Sequence, residues 1–560
     1  MYCIIKDRLR FIYGEETANN IFSGFVQLIE RWKNKKIKAR SWVDEKDVVL
    51  ITYGDSILKD NVKPLTALDE FLKAHVRSTI SSVHILPMYP FTSDDGFSVS
   101  SYYEINPLLG DWKDVDTLGQ SYDLMFDAVI NHVSVSSEWF RKFLLCDKRY
   151  KDYFIVCDPN MDYSTVTRPR ALPLLTSFET KEGVKYVWTT FSEDQADLNF
   201  KNPMVLHDIL DILCFYASKG AKYIRLDAVG FIWKEAGTSC MHLPQAHELI
   251  RLIRDVLDIT APGTILITET NAPFADNISY FGNGNDEAHM VYQFTLPPLV
   301  LHTFHNMNSD KFFKWMESLG TWILSEQTAF FNFLSSHDGI GIRPVEGILN
   351  AEEIQLLLDK CLQNGGKISY RHTEAGQKIP YELNINYCDA LTALNDIDEN
   401  RAARSVAAHS ILLSVMGVPA IYIHTLLGSR NWDRGVEGSG INRRINREKL
   451  EFERLTDELG NEAKLRNMIF TGLSDLISAR KEISAFHPNA EQKAVYISSK
   501  LVTFFRENRD KQSKIFVAVN VSDSAVEADI GVYGTDVLTG RMIDGRVNLA
   551  PYQTMWIKIY

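Results

Sequence analysis

Tyr223-Ile224-Arg225-Leu226-Asp227-Ala228-Val229-Gly230-Phe231 is a short apolar run that ends in an Arg–x–Asp pair and breaks at a glycine. Gly220 bounds it upstream, so it reads as a buried strand. A charged pair at the end of such a strand contributes nothing to packing. In α/β barrels, catalytic groups stand at the C-terminal ends of the parallel strands. Asp227 is therefore a candidate nucleophile, and the other strands are expected to deliver its partners.

Working outward, the same alternation of apolar runs and helical patterns recurs on both sides. Val48–Gly54, Val83–Pro87 and Leu124–His132 read as three strands before the central one. Thr264–Thr270, Met290–Phe294, Ala329–Leu334 and Gly417–Ile423 read as four after it. Eight strands alternating with helices predict a (β/α)8 TIM barrel of the α/β class. The rhythm fails for about seventy residues after His132, too long for a structureless loop, so a small domain inserted after strand 3 is expected. A polar excursion follows strand 7. From about Leu501 short alternating segments predict an antiparallel β domain at the C-terminus. The expected divisions are 1–132 (N-terminal helices and first part of the barrel), 133–200 (insertion), 201–339 (middle of the barrel), 340–400 (excursion with acceptor-site loops), 401–495 (end of the barrel) and 496–560 (β domain).

Composition narrows the function. The chain has 560 residues and a formal net charge of −12, which disfavours a nucleic-acid partner. Its N-terminus becomes charged too early for a signal peptide, and no apolar run is long enough to span a bilayer, so a cytoplasmic protein without a membrane partner is expected. Seven scattered cysteines with no CxxC spacing argue against a zinc site or a disulfide frame. The basic run Arg31–Lys36 reads as a solvated helix face.

Three strand ends offer carboxylates: Asp227, Glu269 and Asp338. Alone, each reads equally as a helix cap or a salt-bridge member. On one face of a barrel they suit glycosidic-bond chemistry, where a leaving oxygen is protonated and an oxocarbenium-like centre is trapped. Retaining enzymes of this kind hold two carboxyls roughly 5–5.5 Å apart. Crowding splits their pKa values, so that one serves as acid and another as nucleophile. Arg225, on the same strand face as Asp227, is expected to aim it and hold it ionised. His132 and His337 lack the spacing of metal ligands, so no metal or other cofactor is expected.

Asp127-Ala128-Val129-Ile130-Asn131-His132, Arg225-Leu226-Asp227-Ala228-Val229, Thr268-Glu269-Thr270 and Ser336-His337-Asp338 resemble the four ordered signature regions of the α-amylase superfamily. The resemblance implies Asp227 as nucleophile, Glu269 as general acid/base and Asp338 as the carboxylate binding sugar hydroxyls. It implies His132, His337 and Arg225 as residues that fix the glucosyl unit. Ser93–Phe97, Val229–Cys240, His337–Gly341 and Arg443–Arg447 resemble the sucrose phosphorylase branch. There Asp94 and Arg443 would clamp the far hydroxyls of glucose, Phe97 would form an aromatic platform, and Gln195 would join the substrate-binding set. A phosphorylase passes the covalent glucosyl group to phosphate, giving α-glucose 1-phosphate.

Phosphate and acceptor require cations. Arg168 and Arg170, in a turn stiffened by Pro169 and Pro173, suit phosphate or a carboxylate; a structural salt bridge is the plainer use of either. Tyr381 and Glu382 fall on the acceptor side, and Glu382 stands where sucrose phosphorylases carry Gln. The segments Thr167–Thr176 and Ala261–His302 resemble the glucosylglycerate phosphorylases, whose second substrate is the anion D-glycerate. Small-molecule partners are thus expected: a glucoside, phosphate and glycerate, acting on a monomer or homodimer. Sucrose or sucrose 6'-phosphate phosphorolysis, a hydrolase or transglucosidase, and a non-catalytic homologue stay open at this point. Trp188, Trp233 and Trp432 read as packing or site walls, and Lys234 as a surface lysine.

Overall fold

The computed structural model describes residues 2–170, 172–319, 325–372 and 378–560; Ala171, within the proline-rich turn, lies outside them. Eight parallel strands close a barrel: β1 (Val49–Thr52), β2 (Ser82–Ile85), β3 (Asp123–Ala128), β4 (Ala221–Leu226), β5 (Ile265–Thr268), β6 (Met290–Tyr292), β7 (Ala329–Asn332) and β8 (Val418–Tyr422). Neighbours in sequence are neighbours in space, and β8 pairs with β1 to close the ring. Apart from Asp123 at the start of β3, every strand residue is buried. Such strands carry apolar runs without a polar alternation, because both faces are covered. Helices such as Pro203–Ser218 and Pro244–Thr260 pack outside.

The expected third strand is longer than the observed one. β3 stops at Ala128, and His132 begins a separate two-stranded ribbon, His132–Ser134 against Gln195–Asp197. The chain leaves the barrel here because the backbone takes up other partners. Tyr102 donates its hydroxyl to the Val129 carbonyl, and Leu198 donates its amide to the Asn131 carbonyl. Between the two ribbon strands sits the small inserted domain, with a three-stranded antiparallel sheet and the helix Glu138–Leu144.

The excursion after β7 carries its own structure. Ile340–Gly341, Lys378–Asn384 and Lys367–His372 form an antiparallel sheet, and the helix Ala351–Gln363 packs beside it. The last segment is a six-stranded antiparallel sheet that opens with Glu491–Ala494 and ends with Thr554–Ile559. Among the described residues no helix is long and apolar enough to cross a membrane.

Candidate active site

The barrel register sets the geometry. Arg225 on β4 lies opposite Asp127 on β3, and Leu226 lies opposite Thr268 on β5, so Asp227 and Glu269 emerge side by side at the strand ends. Beyond Asp227 the chain turns sharply. Ala228 adopts a left-handed backbone at φ 49°, a region an alanine occupies only at a cost. The turn aims the Ala228 amide at Glu269, donating to Oε2 at 3.0 Å.

Arg225 is fully buried and ties the floor together. It donates to Asp127, and to Asp227 Oδ1 at 2.8 Å, and approaches Glu269 at 3.8 Å. Asp127 in turn meets His84 Nε2 at 2.7 Å. Asp127 heads one of the signature regions and His84 lies in a predicted strand, but neither was singled out as a site residue in the sequence.

Above this floor opens a cavity at the C-terminal ends of the strands. Its wall brings together Asp94, Phe97, His132, Arg170, Gln195, Asp227, Glu269, His337, Asp338, Tyr381, Glu382 and Arg443. Of the predicted site residues, Arg225 lies beneath the wall, hydrogen-bonded to Asp227, and Arg168 lies outside it. Phe191, Phe231, Met241, Asn271 and Phe294 also line the cavity; Phe231 and Met241 lie in or next to the flagged segment Val229–Cys240, and nothing local marks the other three.

One side of the cavity is a rigid cradle. The Phe97 and His337 rings stack at 4.7 Å, only 3° from parallel. His132 Nε2 and Gln195 Nε2 both donate to the Phe97 carbonyl, at 2.8 and 3.0 Å. The turn that carries Asp94 and Phe97 needs Gly96, where φ is +115° and a Cβ would lie 2.7 Å from the Pro87 carbonyl oxygen. Lys234, expected on the surface, is buried instead. Its ammonium meets Asp197 Oδ2 at 2.5 Å and Asn131 Oδ1 at 2.7 Å, behind His132. An ion pair closed across a long loop removes a lysine from water in a way local sequence does not reveal.

The opposite side is acidic and cross-linked by arginines. Arg443 reaches Asp338 at 2.7 Å and grips both oxygens of Glu382, at 2.5 and 3.1 Å. Arg170 donates to Asp94 Oδ2 at 2.9 Å. Arg444 and Arg447 hold Asp95 at 2.8 and 2.7 Å, and Arg447 also donates to the His337 carbonyl.

Burial and charge divide the carboxyls. Asp338 is held well below the ordinary range by Arg443, His337 and Arg447, against the cost of burial. Asp94 is held low by Arg170 and Arg443 in the same way. Asp227 and Glu269 go the other way: burial is the largest cause for both, and Asp227 is pushed up to about 8. At Asp227 desolvation, joined by the charge of the neighbouring Glu269, outweighs the Arg225 guanidinium. Arg225 touches Asp227 directly and Glu269 only at 3.8 Å, which biases the negative charge of the pair towards Asp227. Burial also lowers His132 and His337, the latter to about 3, so both imidazoles are neutral hydrogen-bonding groups.

The profile "Alpha amylase, catalytic domain" matches residues 77–357. A glucosylglycerate phosphorylase of Escherichia coli (strain K12) is 45% identical over 559 residues, covering 99% of each chain. A sucrose 6(F)-phosphate phosphorylase of Thermoanaerobacterium thermosaccharolyticum is 28% identical, covering 79% of this chain and 88% of that one. The crystal structure of a sucrose 6F-phosphate phosphorylase from Thermoanaerobacter thermosaccharolyticum superposes with a TM-score of 0.75 at 24% identity, over 90% of this chain and 98% of that one.

Proposed function

The chain belongs to the α-amylase family, and from that premise we infer that it is a glucosyl-transferring phosphorylase acting on 2-O-α-D-glucosylglycerate. The observation that carries this reading is the 45% identity, over 99% of each chain, to a glucosylglycerate phosphorylase. Phosphate and the glucoside enter the cavity, and α-D-glucose 1-phosphate and D-glycerate leave it.

The geometry supports a double displacement. Asp227 Oδ attacks the anomeric carbon, and a proton goes from Glu269 to the departing glycerate oxygen. Phosphate then attacks the glucosyl–Asp227 ester from the face glycerate has left, so the configuration is retained. Asp338, kept anionic by Arg443, takes hydrogen bonds from the glucose hydroxyls and stabilises the positive charge developing on the ring. Asp94, Phe97, His132, Gln195 and His337 form the glucose cradle. Arg170 uses one nitrogen on Asp94 and stands on the cavity wall, where the rest of its guanidinium faces phosphate.

The test is acceptor use in the synthetic direction. The protein is incubated with α-glucose 1-phosphate and, separately, D-glycerate, glycerol and fructose, and phosphate release is followed. Glycerate is expected to outrun the other two by at least tenfold. Preference for fructose would overturn the glycerate assignment, and no acceptor-dependent release would overturn phosphorolysis.

A further inference from the structure

The cavity wall carries five carboxylates, Asp94, Asp227, Glu269, Asp338 and Glu382, against two arginines. Both arginines are engaged: Arg170 with Asp94, and Arg443 with Asp338 and Glu382. An acceptor that is itself a carboxylate therefore meets a strongly acidic wall whose cations already have partners. Recognition needs a cation that is not committed.

Two such groups stand together behind the acceptor side. Arg343 follows the strand Ile340–Gly341, and Arg371 lies on Lys367–His372, at the other edge of the same three-stranded sheet. Among the described residues the Arg343 side chain has no hydrogen bond or ion pair. Arg371 has one distant approach, to the half-exposed Glu346 at 3.9 Å. The Nε atoms of both are buried without an acceptor, a costly state for a charged donor. Burial lowers the Arg371 pKa and the nearby Arg343 charge lowers it further, so the two guanidinium groups repel one another.

This pair adjoins the cavity. Ile342 donates its amide to the Tyr381 carbonyl at 3.1 Å, and Tyr381 lines the wall. Arg371 faces Ile379 across the hairpin, and Ile379 and Tyr381 share a strand face by their spacing. On the far side, a Cβ at Gly341 would lie 2.6 Å from Asn271 Oδ1, another wall atom. His242, next to the wall residue Met241, feels the Arg343 charge as well. Its Nδ1 meets the Tyr280 hydroxyl at 2.8 Å, while its Nε2 is buried without a partner.

We propose that Arg343, backed by Arg371, receives the carboxylate of the acceptor and selects an anionic acceptor over a neutral polyol. This rests on the phosphorylase reading above. Arg343 makes the contact; Arg371 is a positioning residue that adds charge and holds the Arg343 guanidinium towards Tyr381.

The test compares acceptors within each variant. Wild type, Arg343→Ala, Arg343→Lys and Arg371→Ala are given α-glucose 1-phosphate with D-glycerate, with glycerol, or with no acceptor. For Arg343→Ala, kcat/KM for glycerate is expected to fall about 10- to 100-fold, the range of a lost charge-assisted hydrogen bond. Glycerol transfer and slow hydrolysis stay within about threefold. Arg343→Lys recovers part of the glycerate rate, and Arg371→Ala shows a smaller loss, mainly in KM. Equal losses with glycerate and glycerol, at an unchanged melting temperature, would overturn the proposal in favour of a structural role. So would a glycerate rate unchanged in Arg343→Ala. A wild type that does not prefer glycerate would instead strike at the proposed function itself, so the two failures are told apart by the wild-type arm.

Discussion

The floor of the cavity and its acceptor side use arginine in opposite ways. On the floor, Arg225 is saturated: it touches Asp127 and Asp227, approaches Glu269, and sits over a His84–Asp127 pair. On the acceptor side, Arg343 is bare among the described residues and Arg371 nearly so. The difference teaches where the free energy of each region goes. A fully paired buried charge is fixed before substrate arrives and costs no reorganisation during reaction. A charged group without a partner costs folding free energy, and pairing with an anion offsets that cost.

Four expected outcomes would sharpen or break this contrast. The largest concerns Asp227. Asp227→Asn should lower phosphorolysis by about 10⁴-fold or more, as removal of a nucleophile does, while circular dichroism and melting show an intact fold. Next comes the support beneath it. Asp127→Ala leaves Arg225 and His84 without their buried partner, and chemical denaturation should show a loss of roughly 3–5 kcal/mol. A neutral result there would mean that the floor is no more saturated than the mouth. Third, Glu382→Gln removes one carboxylate from Arg443 and frees part of that guanidinium. KM for phosphate should fall by about fivefold, on the order of 1 kcal/mol, with hydrolysis of glucose 1-phosphate nearly unchanged. The smallest effect is on stability against pH. Burial raises the pKa of both Asp227 and Glu269, so the native state binds protons more tightly at this pair than the unfolded chain does. That contribution is fully present below the unfolded carboxyl pKa near 4 and is lost as pH rises through 8. Asp227→Asn should therefore melt higher than wild type at pH 8 by about 1–3 °C, with the gap closing towards pH 4. A gap that widens on acidification would reverse the assigned shift.

Much of the floor was legible in the sequence because its two determinants are local. A strand buried on both faces must be apolar, and a polar residue at its end must serve something other than packing. Those two statements locate β1 to β8 and point to Asp227, Glu269 and Asp338. The acceptor side is different. Glu382 and Arg443 are 61 residues apart in sequence and meet only through the hairpin. Lys234 looked like a surface residue because Asp197, which neutralises it, is supplied by the ribbon closing the inserted domain. Arg343 sits two residues after a motif that the sequence did flag, yet its interest is that its side chain has no partner among the described residues. A missing partner is a property of the assembled structure, and no local pattern encodes it.

Arg443 has a consequence that spans both regions. One guanidinium holds Asp338, which would grip the glucosyl unit, and Glu382, on the hairpin that would form the acceptor wall. Whatever tightens one contact alters the geometry available to the other. Occupancy of the sugar cradle and the position of the hairpin are then thermodynamically linked, and linkage is reciprocal: a bound glucose analogue should change acceptor affinity by the same factor by which acceptor changes its own. Arg443 would make the two half-reactions aware of each other through a single side chain.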